Sequence, residues 1–247
     1  MTSIPRPSPI PRPKHFESGA PAPWSSLSPD LKVGLELEVV LGALRQEGFA
    51  APFDSLTAQD SGDAVAAVLV ALFEEDGETR VLLTRRSPEL RSHTGQVSFP
   101  GGRVDPGEDP PKAALREAAE EVGLDPGIVS IAGELRPMFV LNRAVLSNTP
   151  LIVSVIGSIE GRPHLKRNPS EVARIFDVAL SDLLADGAFH EERWPFPSPR
   201  DPPPGDGLTP VWFFDVAGET VWGVTARILV ELLTMLLGLP RPVIPWP

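Results

Sequence analysis

Proline sets the outer limits of any fold this chain adopts. It fixes φ and brings no amide donor, so neither a helix interior nor a central strand runs through a stretch crowded with it. Of the 30 prolines in 247 residues, 19 fall within 1–29, 195–210 and 240–247. A folded domain is therefore expected over 30–240. Residues 1–29 read as an extended, unpacked, disordered arm, 187–210 as a proline-rich loop that is either a functional flap or a disordered insertion, and 241–247 as a tail. Between these stretches the composition is ordinary; with 42% hydrophobic and 22% charged residues overall, a fibrous or wholly disordered chain is excluded.

Charge and cysteine content narrow the chemistry. Lys and Arg number 22 against 33 Asp and Glu, a net charge of −11 that repels nucleic acid and anionic membrane, so neither is an expected partner. A polyanionic small molecule would need a local basic patch or a metal. The absence of cysteine excludes disulfides, thiolate metal sites and cysteine nucleophiles, leaving oxygen and nitrogen ligands. The longest apolar run, Ala64 to Phe73, is about half of what a spanning helix needs. The beginning, Met-Thr-Ser-Ile-Pro-Arg-Pro, lacks a secretory pattern, and Ile244-Pro245-Trp246-Pro247 matches no sorting signal, so the cytoplasm is the expected location.

Periodicity predicts a first helix from Leu31 to Gln46, stopping at Gly48, then a hairpin of Ala64–Phe73 and Arg80–Thr84 joined by the acidic loop Glu74–Glu78. The clearest helix follows: Asp109 caps it, Pro110 opens it, Gly123 stops it, and Leu115, Ala118, Ala119 and Val122 form one apolar face. Strands are expected at Ile128–Ile131, Met138–Leu141, Leu151–Ile159, Val172–Val178, Val211–Phe214 and Thr220–Trp222. A short helix should start near Ser181 and a last one cover Val224–Leu237. This order argues for an α/β or α+β domain with helices covering a sheet.

On the helix after Asp109, Glu117, Glu120 and Glu121 stand at i, i+3 and i+4, one face opposite the apolar one. Three anions so close repel each other unless a cation sits among them. Hard oxygen ligands favour Mg²⁺ or Mn²⁺, held by a few carboxylates, waters and substrate phosphates. A glutamate-rich face is also simply a solvated surface. The loop leading in, with Gly101-Gly102, Pro106 and Gly107, supplies backbone that a ligand can approach closely.

The stretch GGRVDPGEDPPKAALREAAEEVGL resembles the Nudix box: Gly102, five residues, Glu108, seven residues, then Arg116, Glu117, Ala118, Glu120, Glu121, Gly123 and Leu124. Ala118 departs from the bulky aliphatic usual in the family and should only tighten packing there. Upstream, Leu82-Leu83-Thr84-Arg85-Arg86-Ser87, Arg91, Gly95 and Phe99-Pro100-Gly101-Gly102 resemble the additional signature of the coenzyme A pyrophosphatase branch. Asn168-Pro169-Ser170-Glu171-Val172 and Trp222-Gly223-Val224-Thr225-Ala226 are also similar to stretches of that branch, so the match covers roughly 30–238.

The resemblance implies an α/β/α sandwich around a mixed sheet and hydrolysis of the diphosphate of coenzyme A or a derivative, giving 4′-phosphopantetheine or its acyl form and adenosine 3′,5′-bisphosphate. It implies that Glu117, Glu120 and Glu121 hold Mg²⁺ or Mn²⁺, with the Gly102 carbonyl as a further ligand, and that Arg116 pairs with Glu108 or a box glutamate. A box glutamate and Glu171 both stand as the base that deprotonates water. Arg85, Arg86 and Arg91 are expected to bind the substrate's phosphates; the alternative for each is a structural ion pair. The four histidines, His15, His93, His164 and His190, have no metal-ligand spacing. Two other readings stay open: another nucleoside diphosphate derivative such as ADP-ribose, a dinucleotide or an oxidised nucleoside triphosphate, or a module that binds nucleotide without turnover. If the chain is oligomeric, a two-fold homodimer is the expected form.

Overall fold

In a computed structural model the described residues are 10–49, 65–90, 94–139, 151–195 and 206–241. A hairpin forms the centre of the sheet. β2 (Val65–Glu75) and β3 (Glu78–Arg86) pair antiparallel across Asp76-Gly77, both at positive φ (55° and 75°), the two-residue turn whose twist suits a hairpin. β8 (Leu151–Ile159) lies parallel to β2 along its length, from Val65↔Leu151 to Phe73↔Ile159. A parallel neighbour requires a crossover, and the intervening chain supplies it with a helix.

That helix, α2 (Pro110–Val122), has the expected ends. The Asp109 side chain accepts from the Lys112 amide at 2.9 Å, and Gly123 closes it in the left-handed conformation, φ 65°. Its apolar side, Ala113, Ala114, Ala118 and Val122, lies on Ala67, Leu69, Ala71 and Phe73 of β2, all at most 1% exposed. Ala118 is fully buried in this contact.

Around β2 the mixed sheet runs β4 (Val97–Ser98), β3, β2, β8 and β6 (Val129–Glu134). β5 (Gly101–Arg103) is added on β2, β7 (Met138–Phe139) on β8 and β9 (Val172–Ala179) on β3. Its other face, with Val70, Leu72, Val81 and Leu83, is covered by α1 (Leu37–Glu47) and α4 (Gly223–Leu236); the short α3 (Leu180–Leu184) packs in the same cluster. The expected α/β sandwich around a mixed sheet is therefore present, with α2 on one face and α1 and α4 on the other. No helix among the described residues is long and apolar enough to cross a membrane.

Three expectations need correction. The stretch 187–210 is not a loop throughout. β10 (Phe189–Pro195) and β11 (Leu208–Val216) pair from Phe189↔Phe214 to Pro195↔Leu208, and with β12 (Glu219–Trp222) they form a second, antiparallel sheet; 196–205 lie outside the described residues. Pro195 and Pro210 sit near strand ends, where a missing amide costs least. The arm is also tied to the domain by a short edge strand and one buried side chain. β1 (Glu17–Ser18) adds to β10, the Gly19 amide donates to Glu191 O at 2.8 Å, and Trp24 is 1% exposed, 5.5 Å from the Phe189 ring and 6.1 Å from Phe214. An extended proline-rich chain is well suited to an edge strand, and one buried tryptophan supplies the anchor that counting prolines ignores. The first helix begins at Leu37, not Leu31, because Gly34 at φ 64° breaks it from the turn Pro29–Lys32.

Candidate active site

Three elements meet at the N-terminal end of β2: β5, the carboxylate face of α2, and the loop 160–171 that returns to β9. The loop is clipped to the end of α2, where helix carbonyls lack internal donors. The Lys166 amide donates to Val122 O at 2.8 Å and the Asn168 amide to Glu121 O at 2.9 Å. Asn168 Nδ2 then donates to Glu171 Oε1 at 3.1 Å, and the Ser87 amide takes the Glu171 carbonyl at 2.7 Å. Glu171 thereby enters the electrostatic neighbourhood of Glu117 and Glu121, and its charge pushes both carboxyls upward.

Glu121 is the least ordinary of these residues. It is 3% exposed, receives the Gly101 amide at 3.3 Å, and faces Arg86 with Nη1 3.6 Å away. Burial pushes its carboxyl from 4.5 up to about 7; Arg86 and the Gly101 amide oppose the rise, and Glu117 and Glu171 add to it. Glu117 is raised for the same first reason, burial, with Arg116 pulling it down and Glu120 and Glu171 pushing it up. Glu120 is on the outer flank, its side chain 56% exposed.

Arg116 ties the glycine-rich loop to the helix. Its Nε and Nη2 grip both Glu108 oxygens at 3.0 Å, Nη1 donates to Glu117 at 2.8 Å, and Nη2 also reaches the Arg103 carbonyl at 3.0 Å. The bidentate grip holds Glu108 below its ordinary pKa. Arg116 thus pairs with both expected partners.

The phosphate-binding arginines separate. Arg86 lies at the site with spare donors, its Nε buried without a partner. Arg85 points to the other side of the sheet, as alternate residues of a strand do. Its side chain is 4% exposed and Nη1 donates to the equally buried Glu219 at 3.0 Å, where Arg174 also donates at 2.8 Å. Arg85 is therefore corrected from phosphate ligand to buried ion pair, joining β3 to β12. Arg91 and His93 lie outside the described residues. The tie was not legible in the sequence because Glu219 is 134 positions away.

The donor set suits a hard divalent cation. Two buried or half-buried carboxylates face each other with oxygen donors alone, and a Cβ on Gly102 would collide with the Glu117 carboxylate, so only glycine leaves that space open. Among the described residues no three His, Asp or Glu side chains already converge as a metal cluster. Glu117 and Glu121 would hold Mg²⁺ or Mn²⁺ from within and Glu120 from the rim, the remaining positions falling to water and phosphate oxygens.

The NUDIX domain model matches residues 63–197. The chain is 35% identical over 183 residues to Nudix hydrolase 22, chloroplastic, of Arabidopsis thaliana, covering 71% of this chain and 56% of that protein, so it spans little more than half of that relative's length. It is 32% identical over 193 residues to Nudix hydrolase 3 of Caenorhabditis elegans, covering 73% and 77%. With the Nudix hydrolase NudL of Photorhabdus laumondii it shares 38% over 168 residues, covering 68% and 82%. The matched residues 63–197 include the glycine loop and the glutamate helix described above, and the chain belongs to the Nudix family.

Proposed function

We propose that the chain is a divalent-cation-dependent hydrolase of phosphoric anhydrides, and that its substrate is coenzyme A or one of its derivatives. The observation that carries the first half is Glu121: a carboxylate buried within reach of the charges of Glu117 and Glu171, accepting from the Gly101 amide and opposite an arginine with an unused donor. Such an arrangement is costly unless a cation and an anionic substrate complete it. The cation, when bound, neutralises the diphosphate and makes water a better nucleophile near neutral pH.

The chain's own residues supply the rest. Arg86 takes a phosphate oxygen, Arg116 keeps Glu117 and the loop at Glu108 in register, and Glu121 or Glu171 accepts the proton of the attacking water. Water adds to phosphorus as the anhydride P–O bond breaks, so no covalent enzyme intermediate is needed.

The coenzyme A half rests on the signature from Leu82 to Gly102 and is supported by how that stretch is held. Thr225 Oγ1 donates to the Val97 carbonyl at 3.0 Å and Arg85 pairs with Glu219. The signature and the Trp222–Ala226 stretch are thus parts of one unit, as expected if they serve one substrate. A panel of coenzyme A, its form without the 3′-phosphate, ADP-ribose and a diadenosine polyphosphate, at equal concentration with Mg²⁺, tests the assignment. The highest kcat/KM is expected for coenzyme A; preference for ADP-ribose or the dinucleotide would replace it.

A further inference from the structure

With Arg85 committed to Glu219, the phosphate of the substrate that is remote from the diphosphate lacks one of its expected partners. Another arginine meets the requirement. Arg227, in the second turn of α4, is half-buried, yet among the described residues its guanidinium makes no hydrogen bond and no ion pair within 4 Å. Burial lowers its pKa, and the charge that offsets this is Glu231, one turn on. Glu231 is shared with Arg241, 3.9 Å away, and with Arg136, whose amide also points to it. Three guanidinium groups around one carboxylate leave net positive charge in a protein of net charge −11.

The cluster lies on the face of the sheet opposite α2, and two chains of contacts relate it to the glycine loop. On one flank, Thr225 is bonded to Val97, just ahead of Phe99-Pro100-Gly101-Gly102. On the other, the Leu135 amide donates to Ser154 O at 2.9 Å; Ser154 is opposite Val68, and Val68 is opposite Gly101. Arg136 therefore stands about three strand spacings, roughly 15 Å, from the glycine loop, a gap that an arginine side chain and a ribose bisphosphate close together. Between the flanks Val68, Ile152 and Val224 are only half-buried, although they border a core that is elsewhere sealed.

We propose that Arg227, assisted by Arg136, binds a phosphate monoester on the ribose of the substrate, with Val68, Ile152 and Val224 as the apolar floor beneath the nucleoside. This deepens the coenzyme A reading and rests on it. A guanidinium that is partly stripped of water and shares its nearest carboxylate with two others binds a phosphate oxygen strongly, because little hydration is lost on contact. The local excess of positive charge selects a dianion over a hydroxyl at that position.

Equilibrium titration of the wild-type protein, Arg227→Gln and Arg136→Gln with adenosine 3′,5′-bisphosphate and with adenosine 5′-monophosphate tests this without turnover. The wild type should bind the bisphosphate at least about tenfold more tightly. Arg227→Gln should erase that ratio while leaving the monophosphate constant unchanged, and Arg136→Gln, on an exposed side chain, should reduce the ratio with the same melting temperature. If Arg227→Gln does not fold, Arg136→Gln decides. A wild-type ratio near one, or a ratio untouched by both substitutions, overturns the proposal. A preserved ratio in a protein that hydrolyses no coenzyme A would instead refute the proposed activity and leave this site standing.

Discussion

Glu121→Gln should stabilise the protein while disabling it. The carboxyl is 3% exposed and pushed from 4.5 up to about 7. That gap corresponds to about 3 kcal/mol of differential stabilisation of its neutral form. The native state holds this proton more tightly than the unfolded chain does. The unfolded chain therefore loses it first, stability falls as pH rises from 4.5 to 7, and the full cost is present above 7. Glutamine keeps the shape and an acceptor for the Gly101 amide without the charge. At pH 8 with divalent cations chelated, the variant should be more stable by up to about 3 kcal/mol, roughly 6–12 °C in melting temperature for a chain of this size. Near pH 4 the advantage should vanish. Mg²⁺ should raise the melting temperature of the wild type and leave that of the variant almost unchanged. Thermal melts at the two pH values, with chelator and with Mg²⁺, provide the assay. A variant less stable than the wild type at pH 8 in chelator, or a difference independent of pH, would refute the reasoning.

Other perturbations have outcomes set by the same contacts. Arg85→Met leaves the buried Glu219 facing Arg174 alone and should cost about 3–5 kcal/mol in urea unfolding; a change under about 1 kcal/mol would mean the pair does not hold β3 to β12. Gly102→Ala places a methyl against the Glu117 carboxylate and should lower kcat about a hundredfold with little change in melting temperature, as a displaced catalytic group does; unchanged kcat would place the reaction elsewhere. Trp24→Ala should cost about 3–5 kcal/mol because its ring fills a core between Phe189 and Phe214; a neutral result in urea unfolding would restore residues 10–29 to the status of an unpacked arm.

What the sequence made legible was local. Asp109, Pro110 and Gly123 delimit α2 because caps act within one turn, and the Asp76-Gly77 turn with its flanking alternation marks the hairpin. The carboxylate spacing on α2 and the pairing of Arg116 with Glu108 follow from helix period and short separation. Long-range closure was not legible. Arg85 and Arg86 are adjacent in sequence and equal in chemistry, yet strand alternation sends one to Glu219 and the other to Glu121. The β10–β11 hairpin was hidden because its prolines, Pro195 and Pro210, read as loop although strand edges tolerate them. Arg227 carries no motif; its lack of a partner exists only once α4 lies over the sheet.

In the proposed mechanism the α2 carboxylates hold a divalent cation that supports cleavage of a substrate anhydride. Release of adenosine 3′,5′-bisphosphate from coenzyme A, with Mg²⁺ or with chelator, should be compared between the wild type and Glu120→Gln, since Glu120 is exposed and its substitution is expected to spare the fold. Release is expected from the wild type only with the cation and at least about a hundredfold less from the variant. Release that persists in chelator and is unchanged in Glu120→Gln would contradict it.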